Sequence, residues 1–84
     1  MRLGFDNNAL ADITYFIKED RKKALKIMKL IDEIVRDPFK GTGKPEPLKY
    51  LSTGAWSRRI DDMHRLVYQV DNDSIIILTC RYHY

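Results

Sequence analysis

Three side chains in the second half of the sequence have the chemistry that metal-independent cleavage of RNA requires: Glu46, Arg65 and His83. In that reaction the 2′-hydroxyl attacks the neighbouring phosphate, which needs a base, an acid and a cation for the developing charge. Glu46 is a candidate base, and His83, whose imidazole titrates near neutral pH, is a candidate acid. The guanidinium of Arg65 matches the geometry of phosphate oxygens. From the residues alone, a domain that only binds nucleic acid or a protein partner remains the alternative.

The candidate base lies in a proline-rich segment, residues 38–47, whose composition predicts a loop. Pro45 and Pro47 each fix their own φ and push the preceding residue toward extended geometry. We therefore expect Glu46 to be held extended, with its carboxylate restricted in position. The alternative is a solvated loop glutamate without a function.

The basic side chains near the C-terminus lie on strands predicted from alternating residues, at 56–60, 63–70 and 75–84. A three-residue turn at 61–63 would place Arg59 opposite Arg65. Like charges opposed across two strands are unfavourable, so this pairing favours an anion at that place.

The second strand pairing depends on the turn near residues 71–73. If three residues form that turn, Arg65 lies opposite Thr79, and Arg81 and His83 share its open face. A turn one residue shorter shifts the pairing by one and moves Arg65 away from His83, unless a β-bulge restores the arrangement. The three-residue turn assigns five residues to the helix-covered face: Leu66, Tyr68, Ile76, Leu78 and Cys80.

Helical spacing of apolar residues predicts two helices in the first half of the chain. The first carries Leu10, Ile13, Phe16 and Ile17 on one face; the second carries Ala24, Ile27, Met28, Ile31, Ile34 and Val35. Asp6 or Asn7 is suited to cap the first helix and Asp20 the second, while Pro38 ends the second. These elements predict one α+β domain over residues 1–84, ordered β-α-α and then three or four strands. A helix hairpin covers one face of a mainly antiparallel sheet.

Composition excludes several classes of protein. No apolar run approaches the roughly 20 residues of a membrane span, and no signal peptide is recognisable at the start. The single cysteine, Cys80, excludes an internal disulfide and is typical of a cytoplasmic protein. We expect no metal site, because Cys80 and His83 should point to opposite faces of one strand.

The net charge of +3 is unevenly distributed. One basic group comprises Lys40, Lys44, Lys49, Arg58, Arg59 and Arg65; the other, on the second predicted helix, comprises Arg21, Lys22, Lys23, Lys26 and Lys29. Such clusters favour a polyanionic partner. The alternative is a solvated charged surface.

Four separated motifs carry a resemblance to a known family. They are KPEPLK at 44–49, Gly54 followed by WSRRI at 56–60, HRLVY at 64–68 and CRYHY at 80–84. In order and spacing they closely resemble the Txe/YoeB toxins of the RelE/ParE superfamily. The resemblance extends over essentially the whole chain.

The resemblance implies the toxin of a type II toxin–antitoxin system, with a compact microbial-RNase-like fold and no metal or cofactor. Such toxins cleave mRNA in the ribosomal A site, and a cognate antitoxin neutralises them. The resemblance implies four catalytic residues: Glu46, Arg65, His83 and Tyr84. It implies contacts to RNA by Lys49 and Arg59, and ribosome docking by Lys22, Lys26 and Lys29. The basic group and the open face add Lys44 and Arg81 as candidate RNA contacts. The partners implied are the antitoxin, the ribosome and mRNA, and a homodimer is left open.

Two alternatives come from the same superfamily. One is a toxin-fold protein without catalysis that acts by binding, and the other is a gyrase-directed toxin. The presence of Glu46, Arg65, His83 and Tyr84 argues against the first, and the KPEP loop and the RYHY ending favour the RNase branch over the second.

Overall fold

The computed structural model describes residues 1–81 of the chain. Two helices and five strands follow in the order β1 (Arg2–Phe5), α1 (Asn7–Glu19), α2 (Arg21–Arg36), β2 (Glu46–Pro47), β3 (Ala55–Arg59), β4 (Arg65–Val70) and β5 (Ser74–Thr79). The sheet order is β1-β5-β4-β3-β2; β1 is parallel to β5, and the other neighbours are antiparallel. The predicted α+β fold, two helices on a mainly antiparallel sheet, is confirmed.

Residues predicted as N-caps begin both helices. The side chain of Asp6 accepts a hydrogen bond from the Asn8 N–H, and that of Asp20 accepts one from the Lys23 N–H. Both bonds satisfy N–H groups that have no partner inside the helix. The second helix ends before Asp37 and Pro38, as predicted.

The main core lies between the two helices and one face of the sheet. Its buried members include Ala9, Phe16, Ala24, Ile27, Leu30, Ile31, Ile34, Leu66, Tyr68, Ile75, Ile77 and Cys80. The prediction was wrong for Leu10, Ile17 and Met28, which are exposed. Each helix is covered on one side only, so residues at the margin of its apolar stripe stay in solvent.

The register of β4 and β5 differs from the one predicted with a three-residue turn. Val70 pairs with Ile75 and Tyr68 with Ile77, which corresponds to the shorter turn. A bulge then shifts the register, so that Val67 rather than Arg65 lies opposite Thr79.

This register reverses part of the face assignment on β5. Ile75 and Ile77 face the helices, whereas Leu78 packs on the other side of the sheet; the predicted core positions of Ile76 and Leu78 were therefore wrong. Cys80 lies in the helix-covered core as predicted, because the bulge adds a residue to β5 after Ile77 and so shifts the alternation by one. In residues 1–81 no helix has the length and apolar character to cross a membrane.

Candidate active site

The open face of the sheet brings together side chains from β2, β3 and β4. Glu46 pairs with Ser57 on β3, and Arg59 pairs with Arg65 on β4. Residues directly opposed across strands point to the same face. The predicted pairing of Arg59 with Arg65 is confirmed.

A cleft of about 180 Å³ opens on this face and is lined by Glu46, Leu48, Tyr50, Ser57 and Arg65. Arg65 Nη2 lies 3.7 Å from Glu46 Oε1, and Arg65 Nη1 donates a hydrogen bond of 3.1 Å to Ser57 Oγ. The cleft thus presents a carboxylate and a guanidinium side by side. This pair is suited to remove a proton from a hydroxyl and to bind the adjacent phosphate.

The ion pair between Glu46 and Arg65 is exposed enough to solvent for another anion to replace the carboxylate. The Glu46 side chain is 56% exposed and that of Arg65 is 27% exposed. Exposed pairs at this distance contribute little free energy. A phosphate could therefore replace the Glu46 carboxylate as the partner of Arg65 at small cost, which would leave Glu46 available as a base.

Further cations lie near the cleft in the sequence and on the neighbouring strand. Arg59 is half-exposed, and its Nη2 lies 3.2 Å from Asp62 Oδ1. Lys44 and Lys49 are exposed just before and just after β2, and Lys44 has a positive φ of 51°. All three are cationic and exposed on the part of the sheet that carries the cleft.

The turn between β3 and β4 is fixed by Asp61. Burial opposes ionisation of this carboxyl, but hydrogen bonds from the His64 and Met63 N–H groups and from Lys23 outweigh it and lower the pKa to about 2. The Asp61 carboxylate lies 3.0 Å from Lys23 Nζ on α2. The turn that carries Arg59 and Arg65 into register is thereby tied to the helix layer.

Arg58 does not belong to this face. It was grouped with the other arginines as a partner for polyanions, but it is fully buried and points to the helix side. Its Nη2 donates to the Asp37 and Lys40 carbonyls at 2.7 and 2.8 Å. Strand alternation requires this, because its neighbour Arg59 faces the cleft side.

Comparison with known proteins identifies the family. The family model described as "YoeB-like toxin of bacterial type II toxin-antitoxin system" matches residues 5–84. The toxin YoeB of Streptomyces coelicolor is 51% identical over 84 residues, which are 100% of both chains. The chain belongs to the family of YoeB-like toxins.

Solved structures of YoeB proteins have the same fold. The structure of the YoeB dimer from Staphylococcus aureus matches with a TM-score of 0.91 and 45% identity, covering 100% of this chain and 98% of that chain. The heterotetrameric complex of YoeB-YefM toxin-antitoxin from the same organism matches with a TM-score of 0.86 and 44% identity, over the same shares of the two chains. The chain is therefore the toxin of a type II toxin–antitoxin system.

Not every residue singled out from the sequence of this YoeB-family toxin lies at the cleft. Arg81 was expected on the open face beside Arg65, and this was wrong. Its guanidinium carbon lies 3.5 Å from the centre of the Tyr15 ring on α1. Because β5 ends at Thr79, strand alternation does not set the direction of this side chain. Lys22, Lys26 and Lys29 are exposed on α2. His83 and Tyr84 lie outside the described residues.

Two lining residues of this YoeB-family cleft were missed from the sequence, Ser57 and Tyr50. Ser57 alternates with Arg59 along β3 and lies opposite Glu46, so the alternation alone was sufficient to find it. Tyr50 follows β2 in a turn, where no periodicity predicts its direction. Within residues 1–81 no group of three or more His, Cys, Asp or Glu side chains is placed to hold a metal ion.

Proposed function

We propose that this toxin is an endoribonuclease that cleaves mRNA in the ribosomal A site without a metal ion and so inhibits translation. The observation that carries the proposal is the cleft in which Glu46 and Arg65 face each other across Ser57. The motifs shared with the Txe/YoeB toxins add His83 and Tyr84 to the catalytic residues.

In the proposed reaction Glu46 accepts the proton of the 2′-hydroxyl while the 2′-oxygen forms a bond to phosphorus. Arg65 stabilises the negative charge of the phosphorane by hydrogen bonds that strengthen as the charge develops. The bond from phosphorus to the 5′-oxygen then breaks, and His83 donates the proton that this oxygen needs. The products are a 2′,3′-cyclic phosphate and a 5′-hydroxyl.

Substrate binding in this proposal is mainly electrostatic. Lys44, Lys49 and Arg59 lie near the cleft and contact the mRNA backbone, while the exposed lysines of α2 contact ribosomal RNA: Lys22, Lys26 and Lys29. Contacts to many phosphates release counterions, so binding to the ribosome should weaken steeply as salt increases. Arg81 is not included, since its guanidinium stacks on Tyr15.

We also infer that a cognate antitoxin neutralises the protein. The solved YoeB-YefM complexes from Staphylococcus aureus support this, because those toxins share the fold over the full length. The YoeB dimer from the same organism supports a homodimer as a second assembly.

The test is 3′-end mapping of mRNA on ribosomes treated with the purified protein. We expect cuts at codons in the A site, and we expect Glu46→Ala and His83→Gln to slow them at least about 100-fold. Glu19→Ala, which changes an exposed glutamate at the end of α1, is the matched control and should cut normally. Full cleavage by Glu46→Ala would exclude the mechanism.

Growth arrest with DNA damage signalling and intact mRNA would instead indicate a gyrase-directed toxin.

A further inference from the structure

Among the described residues, Arg58 makes the largest number of side-chain hydrogen bonds, and it is 0% exposed. A guanidinium has five N–H donors, and all five of them have acceptors here. Nε donates to Tyr68 Oη at 3.2 Å, Nη1 to Glu33 Oε1 at 3.3 Å and the Thr42 carbonyl at 3.4 Å. Nη2 donates to the Asp37 and Lys40 carbonyls.

Three of these acceptors belong to one loop, residues 37–42, that leads from α2 toward β2. Glu33 reinforces the same loop from the helix side. Its two carboxylate oxygens accept hydrogen bonds from the Thr42 N–H at 2.8 Å and the Thr42 hydroxyl at 2.9 Å. A Cβ at Gly41 would lie 2.6 Å from both Arg58 Nη1 and Glu33 Oε1, so the chain passes directly over the ion pair. We name Arg58, Glu33 and Thr42 the loop anchor.

Thr42 of the loop anchor lies four residues before Glu46, in a segment that pairs with β3 over two residues only. The strand β2 has two residues, one of which is Pro47, and Pro45 precedes it. Prolines have no N–H to donate to a ladder, so the pairing with β3 is short of hydrogen bonds. Backbone hydrogen bonds to β3 flank β2 on both sides. The Arg59 N–H donates to the Gly43 carbonyl, next to Thr42, at 2.7 Å, and the Leu48 N–H donates to the Ala55 carbonyl at 2.7 Å.

A need for stability alone does not explain this arrangement. Moving a guanidinium out of water is costly, and apolar side chains of similar volume often stabilise a core as well or better. A guanidinium has its donors in a fixed planar arrangement, so it can hold several loop carbonyls in defined positions at once. The position of this loop in turn affects Glu46, the next part of the chain, whose carboxylate faces Arg65.

We propose that the loop anchor is a positioning unit that sets where the Glu46 carboxylate lies relative to Arg65 and the bound ribose. The inference rests on the proposed function, because it assigns the anchor a role in proton removal by Glu46. Its members do not line the cleft, so they act through Glu46 and not by contact with RNA.

A double-mutant cycle tests this proposal. Thr42→Val removes one hydroxyl donor of the anchor and keeps the shape of the side chain. We expect kcat for cleavage of ribosome-bound mRNA to fall about 10-fold, because small displacements of a catalytic group are costly, while KM changes little. In a Glu46→Ala protein, measured under single turnover with excess toxin, Thr42→Val should cause no further loss.

Thr14→Val is the matched control, since the Thr14 hydroxyl also makes a hydrogen bond of 2.8 Å, to the Leu10 carbonyl on the exposed side of α1. Assays are run well below the melting temperature of every variant, so that loss of folded protein does not lower kcat.

Glu33→Gln provides a second change in the loop anchor. An equal loss from Thr42→Val with and without Glu46 would overturn the inference and leave the proposed function intact. So would unchanged kcat in both anchor variants. Full activity of Glu46→Ala would overturn both.

Discussion

Two arginines seven residues apart, Arg58 and Arg65, show how the same side chain has different uses on the two faces of one sheet. Arg58 is fully buried, and its five donors are occupied by protein acceptors. Arg65 is partly exposed; among residues 1–81 it makes one hydrogen bond, to Ser57, and one long ion pair, to Glu46. Within the described residues, the number of N–H donors that have protein acceptors, more than the charge, therefore separates the structural guanidinium of Arg58 from that of Arg65.

The largest expected effect is on stability. Arg58→Met should lower the free energy of unfolding by about 3–5 kcal/mol, because the change leaves a set of acceptors without their donor. Arg65→Met should lower it by less than about 1 kcal/mol, as is usual for exposed ion pairs. Urea unfolding measures both. Arg36→Met, which breaks the exposed Arg36–Asp32 pair, is the control. Equal destabilisation by the Arg58 and Arg65 variants would contradict the comparison.

The second effect is on activity and is confined to the open face. Arg65→Lys retains the charge but lacks the planar fork that, in the proposed mechanism, binds Ser57 and a phosphate together. We expect kcat for mRNA cleavage to fall about 100-fold, the usual loss when one donor to a developing oxyanion is removed, with an unchanged unfolding curve. If Arg65→Lys cleaves at the rate of the unmodified protein, Arg65 has no role in stabilising the transition state.

The two arginine sites were not equally predictable from the sequence. The partners of Arg65 follow from strand alternation and one turn length, and so its pairing with Arg59 was predicted correctly. The same alternation places Arg58 on the helix side, but grouping the residues by charge concealed this. Its acceptors are mostly carbonyl oxygens of a loop, and residue types do not predict where a carbonyl points.

The fold itself was largely predictable, because caps and apolar periodicity act locally. Asp6, Asp20 and Pro38 define the helices without reference to the rest of the molecule. The β4–β5 register was not, since β5 carries a continuous apolar run and either register buries a comparable set of side chains. A bulge resolves the choice, and it depends on tertiary packing on both faces of the sheet.

A third, smaller effect concerns pH. The hydrogen bonds from the Thr42 N–H and hydroxyl, and then the charges of Arg58 and Lys29, lower the pKa of Glu33 below its ordinary value of 4.5 against the opposing effect of burial. A lowered pKa in the folded state means that ionised Glu33 stabilises the fold above the unfolded pKa, and that this stability is lost as the pH falls through the folded pKa.

We therefore expect the stability difference between the unmodified protein and Glu33→Gln to be constant near neutral pH and to shrink as the pH falls below about 4.5. Urea unfolding between pH 2 and pH 7 measures it. Asp61 also titrates in acid, with a pKa of about 2, but it is present in both proteins and its contribution cancels. A difference that does not change with pH would mean that Glu33 contributes to the loop anchor only by its shape.

The smallest expected effect concerns the hydrogen bond that Arg65 donates to Ser57. Ser57→Ala removes the acceptor of Arg65 Nη1, whose net contribution should be about 1 kcal/mol. A phosphate can accept a hydrogen bond from the same donor, so binding of the substrate should change little. We expect kcat to fall about five-fold, which corresponds to about 1 kcal/mol of activation free energy. Ser52→Ala, which breaks a bond of 2.8 Å from the Ser52 hydroxyl to Gln69, is the matched control. A loss as large as that of Arg65→Lys would show that Ser57 itself contacts the reacting groups. The comparison between Arg58 and Arg65 would then have to treat Ser57 and Arg65 as one functional unit.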